Sequence, residues 1–138
     1  MMQEEKDLVF KDLCSRLPYN CIVSIAEGGI YGIQWDDATL NSYLLLQIKE
    51  EDAWEYVKPY LRPMNSMTED EYNDMYNELY LSQKEFYTNC GNTDYIGKYI
   101  RLIANDTVND WLNKNMFDYR GLIKRGLALE APEGMYDS

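Results

Sequence analysis

Cys21-Ile22-Val23-Ser24-Ile25-Ala26, then Glu27-Gly28-Gly29, then Ile30-Tyr31-Gly32-Ile33-Gln34-Trp35, is the stretch whose reading decides the fold. The first segment is rich in β-branched residues, the second is a hairpin signal, and the third reads as the returning strand. Asp36-Asp37 is expected to break this ribbon. Ser42 to Lys49 then reads as a third strand, and its continuous Tyr43-Leu44-Leu45-Leu46 run calls for cover on both faces. Three consecutive antiparallel strands are too few to be stable alone, so helices must complete the core.

Those helices are expected on either side. Glu4 to Leu17 spaces Phe10, Leu13, Cys14 and Leu17 as one buried stripe, and Pro18 ends it. Tyr56 to Pro63 reads as extended, because Pro59 and Pro63 bias the residues before them away from the helical region. It would be a fourth, edge-like strand, where proline is tolerated. Thr68 with Glu71 forms a T-x-x-E capping box, the best local signal in the chain. The helix it opens carries Tyr72, Met75, Tyr76, Leu79 and Tyr80 on one stripe. Asn89 to Asn92 marks a loop. Ile96 to Leu112 fits one helix, or two broken at Ala104-Asn105-Asp106 with Asp106 capping the second, and Gly97 and the β-branched content leave Tyr99 to Ile103 open as a strand. Asp118 is placed to cap a short helix over Tyr119 to Arg125, closed by Gly126, and the tail from Ala131 is ordered only if it docks. The fold class that follows is α+β in one domain, residues 1–138. A small antiparallel sheet of three or four strands, of which an SH3-like arrangement is one form, packs with an N-terminal helix and C-terminal helices.

Composition narrows the function classes. The chain has no histidine, thirteen tyrosines and a formal net charge of −11. Histidine is the commonest general base and metal ligand, so the usual routes to catalysis are mostly closed. Cys14 and Cys21 read as small buried hydrophobes. Cys90, in a Gly/Asn loop, is the cysteine expected to be exposed, with no histidine to activate it. Asp36 with Asp37, and Glu50 with Asp52, lack the order of a calcium loop. Gly28-Gly29 is a turn with no G-K-[ST] after it. No enzyme activity, cofactor or metal site is expected. Three cysteines without C-x-x-C spacing, no signal-peptide pattern and no apolar stretch near 20 residues point to a soluble protein of the cytoplasm. The acidic balance argues against direct binding to nucleic acid or an anionic membrane, and favours a basic partner.

The charge is uneven. Between Met67 and Tyr95 seven carboxylates face one lysine, a net −6, and between Lys98 and Arg125 six cations face three carboxylates, a net +3. Two complementary faces of one domain account for this, and so does an acidic docking face. Asp70, Asp74 and Glu78 recur at i, i+4, i+8, a row with a rise of about 6 Å per step. Acidic rows on exposed helix faces are common. A neighbouring ladder of Tyr72, Tyr76 and Tyr80 would suit an interface that meets arginines, although core packing is the plainer use of such a ladder. Glu69, Asp70, Asp74, Glu78, Tyr72 and Tyr76 are the candidate partner-binding residues.

Lys58-Pro59-Tyr60-Leu61-Arg62-Pro63-Met64 with Ser66-Met67-Thr68-Glu69 carries a resemblance. So do Trp111-Leu112-Asn113, Phe117-Asp118-Tyr119-Arg120-Gly121-Leu122-Ile123 and Gly126 to Tyr136, with Lys11-Asp12-Leu13-Cys14 and Arg16-Leu17-Pro18-Tyr19 at the other end. Together these segments resemble a family of small acidic proteins from gut Bacteroidales, their prophages and gut phages. Nothing between Asn20 and Val57 carries the resemblance. Members often have histidines between the Trp-Leu-Asn and Phe-Asp-Tyr-Arg elements, where this chain has Lys114-Asn115-Met116, so no role for them is carried over. The resemblance implies a genetic setting rather than an activity. In that setting the expected function is a non-enzymatic accessory protein, an inhibitor of a basic, nucleic-acid-handling host defence effector such as a CRISPR nuclease, acting in the host cytoplasm. The alternative is a structural or assembly protein of a phage or mobile element, and a carboxylate-and-metal hydrolase is a third option.

Overall fold

The computed structural model describes residues 1–26, 36–90 and 96–136. They form four α-helices and a four-stranded mixed sheet, an α+β fold opened by a helix. The chain divides into two compact bodies, residues 1–64 with 113–138, and residues 65–112.

In the first body, α1 (Gln3–Arg16) runs as expected, but its buried face is Val9, Asp12, Leu13 and Arg16. Cys14 is exposed, contrary to the expected stripe. The stripe is rotated because a salt-bridged Asp-Arg pair at i, i+4 takes the place of apolar residues on the inner face. The expected hairpin and return strand, Glu27 to Trp35, lie outside the described residues. β1 (Ile22–Ile25) pairs antiparallel with β2 (Asp36–Thr39), so the two aspartates expected to break the ribbon begin a strand instead. In the strand order β2-β1-β3-β4 of the described residues β2 lies at an edge, where the exposed Asp37 reaches water and discourages pairing with another chain. Asp37 also accepts a hydrogen bond from the Tyr60 hydroxyl, at 3.0 Å.

Residues expected as a third strand form α2 (Ser42–Glu50). Asn41 caps it, its Oδ1 accepting from the Leu44 amide at 2.8 Å, and Leu44, Leu45 and Ile48 turn inward on one face. Unbranched leucines are good helix formers, and a short apolar run is ambiguous between strand and buried helix until a cap arbitrates.

β3 (Val57–Leu61) confirms the extended reading of the proline-flanked segment, but the sheet order β2-β1-β3-β4 makes it an interior strand rather than an edge. Pro59 costs the ladder nothing there. Residues 56, 58 and 60 present their backbone polar groups to β1, so Pro59 faces the other side, where pairing with β4 (Leu129–Glu130) starts only at Tyr60. β4 joins in parallel, which corrects the all-antiparallel expectation and with it the SH3-like arrangement. Past β3 the edge continues through Arg62, whose amide donates to the Met116 carbonyl at 2.7 Å and whose carbonyl accepts from Asp118 at 2.8 Å.

The segment after Phe117 forms turns rather than the expected short helix. The local signals nevertheless act as read. Asp118 accepts from the amides of Leu122 and Ile123, at 2.8 and 3.0 Å. Gly126, at φ +74°, closes a Schellman motif in which Leu127 N–H donates to the Leu122 carbonyl and Gly126 N–H to that of Ile123. The tail docks. Tyr136 places its hydroxyl between β1 and β3, accepting from the Ile22 amide at 2.9 Å and donating to the Tyr60 carbonyl at 2.8 Å. The core of this body gathers Val9 and Leu13 of α1, Val23 and Ile25 of β1, and Ile48 and Leu61, all under 2% exposed.

The second body is built on α3 (Glu69–Cys90) and α4 (Ile96–Lys114), the latter helix extending two residues beyond it. The capping box forms as read: Glu71 N–H donates to Thr68 Oγ1 at 3.2 Å, and Thr68 N–H to Glu71 Oε1 at 3.1 Å. α4 is continuous, so neither a break at Asp106 nor a strand over Tyr99 to Ile103 occurs. Trp111 Nε1 donates to Asp74 Oδ2 at 2.9 Å. Asp74 lies 16 residues before the end of α3 and Trp111 15 residues after the start of α4, so the bond ties the two helices about 22–24 Å along each from Cys90 and Ile96. Among the described residues, no helix is long and apolar enough to cross a membrane.

Candidate docking face on the third helix

Every candidate residue lies on α3, and the described side chains of that helix settle its exposure. Tyr72, Tyr76 and Tyr80 are 54%, 59% and 59% exposed, so the tyrosine ladder is not core packing. Glu69, Asp70 and Asp74 are also exposed, while Glu78 is half-buried with Glu71, Met75 and Leu79 on the inner side.

At about 100° per residue, the tyrosines and the carboxylates occupy two lines rather than one mixed stripe. Tyr72, Tyr76 and Tyr80 run along one border of the exposed arc. Asp70, Asp74 and Glu78 run along the other, about 160° away around the axis, with Asn73 and Asn77 between them. A partner must therefore wrap this helix, or take one border, to use both sets. The two lines offer different chemistry: flat aromatic faces suited to guanidinium and apolar groups on one side, solvated acceptors on the other.

Asp74 does double duty. Its carboxylate holds the Trp111 indole N–H, and Trp111 is only 2% exposed. Sequence reasoning missed this bond, because 37 positions separate the partners and neither carries a local motif. Trp111 and Leu112 are buried, and Lys114 is exposed. Arg120 is only 13% exposed and is bound to Asp12 and Ser15. A buried carboxylate at Asp12 draws it in.

Chemistry elsewhere is sparse. Burial pushes the Cys21 thiol up to about 12, so it remains a protonated thiol at neutral pH and makes a poor nucleophile. The side chain of Cys90 lies outside the described residues. Among the described residues, no group of three or more cysteine, aspartate or glutamate side chains is arranged to hold a metal ion.

Compared with family models, curated proteins and solved structures, the chain matches none.

Proposed function

We propose that this chain is a non-enzymatic phage or prophage accessory protein that binds a basic protein partner through the exposed arc of α3, and that the partner is a nucleic-acid-handling host defence effector of the CRISPR nuclease type. The observation that carries the reading is the tyrosine ladder. Three tyrosines at i, i+4, i+8 keep more than half their surface in water on a chain of net charge −11. Exposed apolar patches rimmed by polar residues mark interaction sites, and tyrosine is enriched where one partner offers arginine. The carboxylates on the opposite border steer a basic surface toward that ladder, an effect on encounter rate that fades as salt rises. The resemblance to proteins of gut Bacteroidales, their prophages and phages supplies the setting, and binding in the host cytoplasm follows from it.

The test is a titration into the cleavage assay of a purified RNA-guided nuclease from a Bacteroidales host. Inhibition should be stoichiometric, complete near one equivalent, and weakened in Tyr76→Ala and in Asp70→Lys. No inhibition, or full inhibition far below one equivalent with covalent change in the nuclease or its guide, overturns the reading.

A further inference from the structure

A second surface, on the first body, carries an inference independent of α3. Three inward positions of α2, Leu44, Leu45 and Ile48, belong to the core, and its outer face presents Tyr43, Leu46, Gln47 and Glu50. Tyr43 is 78% exposed, the most exposed large hydrophobic side chain among those described, and Leu46 is 54% exposed. These residues, with Glu51, line an open groove of about 230 Å³. That is smaller than the roughly 300–1,000 Å³ of small-molecule pockets, and suits a single side chain rather than a cofactor.

The polar groups of the groove choose the occupant. Several charges elsewhere in this body find partners: the N-terminal ammonium meets Glu55 at 3.0 Å, Lys6 meets Asp52 at 2.9 Å, and Asp12 meets two arginines. The cation nearest in sequence, Lys49, stands over the Phe10 ring at 5.0 Å. Glu50 has no ion-pair or hydrogen-bond partner for its carboxylate among the described residues, and the Tyr43 hydroxyl has none either. At i and i+7 the two groups lie on one ridge, two turns and about 10 Å apart along the axis, with Leu46 and Gln47 between them. An unpaired carboxylate, an exposed aromatic face and an aliphatic floor form the complement of an arginine side chain. The guanidinium stacks on Tyr43 or forks onto Glu50, and the methylenes lie along Leu46.

We propose that the α2 groove is a docking site for an arginine side chain carried by an extended basic segment of a partner protein. Arginine is favoured over lysine because a planar, weakly hydrated cation both stacks and forks, whereas an ammonium does neither well.

The proposal is tested on the full chain by following backbone amide resonances while adding a capped peptide of alternating arginine and glycine, with matched lysine and glutamate peptides. The arginine peptide should shift the amides of residues 42–51, and the lysine peptide should bind at least several-fold more weakly. Tyr43→Ala and Glu50→Lys should each reduce affinity about tenfold. Both positions are exposed, and alanine is the better helix former, so the fold should persist; unshifted amides across β1 and β3 check this. Glu4→Lys, the same charge change on the exposed face of α1, should leave affinity nearly unchanged. Equal loss in Glu4→Lys and Glu50→Lys, equal binding of the lysine peptide, or shifts that miss residues 42–51 would each overturn the site.

Discussion

Two helices of this chain carry carboxylates and put them to opposite uses. On α1, Asp12 is fully buried, accepts from Arg16 Nε at 3.0 Å and from Arg120 Nη1 at 2.7 Å, and so holds the helix to the segment after Phe117. Arg16, equally buried, also donates to the Phe117 carbonyl at 2.7 Å. Among the described residues its Nη1 has no hydrogen-bond partner, and the guanidinium lies 5.7 Å from the centre of the Tyr119 ring. On α3, Glu69 and Asp70 stay in water, and the aromatic residues beside them are exposed as well. A carboxylate that is buried and paired holds structure and is lost to binding, whereas a solvated one adds little stability and remains available to a partner.

The contrast breaks most visibly at Asp12. Asp12→Ala leaves Arg16 and Arg120 without their shared anion, and should destabilise the first body by about 3–5 kcal/mol, read as a lower denaturant midpoint. If Asp12→Ala unfolds with the parent's midpoint, burial of this triad carries no stability.

Trp111 tests the one carboxylate of the α3 row that acts as Asp12 does. Trp111→Ala should cost about 3–5 kcal/mol by emptying a buried site. Trp111→Phe, which keeps an aromatic ring but removes the indole N–H, should cost less, about 1–3 kcal/mol. Equal losses in the two variants would show that the bond to Asp74 governs the effect rather than packing.

Tyr136 is expected to rank next. Tyr136→Phe removes the hydroxyl that joins β1 to β3, with a loss of about 1–3 kcal/mol. The same locality sets an alkaline limit. Burial, the largest cause, raises Cys21 from its ordinary 9.0 to about 12, and burial also raises Tyr136. The folded state therefore holds these protons more tightly than the unfolded chain. Their contribution is complete below pH 9 and declines as pH climbs from 9 toward 12. Cys21→Ala should flatten that decline in a pH series of denaturation midpoints, and an unchanged slope would assign it to other groups.

The smallest effect on stability is expected on α3 itself. Asp70→Lys and Tyr76→Ala should leave the melting midpoint of the second body unchanged while weakening partner binding, and binding by the parent should fall with added salt. Asp74→Lys is a poor probe of docking, because it also breaks the indole bond. A large drop in melting temperature for Asp70→Lys would place that residue with Asp12 rather than in a solvated row.

Much of this arrangement could be read locally. The capping box at Thr68 and Glu71, the span of α1, the strand at Ile22 to Ile25, the extended Val57 to Leu61 and the glycine closure at Gly126 all depend on neighbours within a few positions. The candidate site was legible as a row and a ladder by i, i+4 spacing, and its solvent exposure was not. The Asp12–Arg16 pair was also present in the sequence at i, i+4, but its burial requires Arg120 and the Phe117 carbonyl, more than a hundred positions away.

What the sequence by itself determined about this protein is therefore its charge, its lack of histidine, the span of α1 and the start of α3, and the residues available for an interface. Each is a matter of composition or of hydrogen bonds that close within one turn. Tertiary structure alone decided that Leu129 and Glu130 extend the sheet in parallel, and that Asp12 is buried while Asp70 is not. Those outcomes depend on which distant surface arrives to exclude water, and burial of a polar group is tolerable only where distant partners satisfy it.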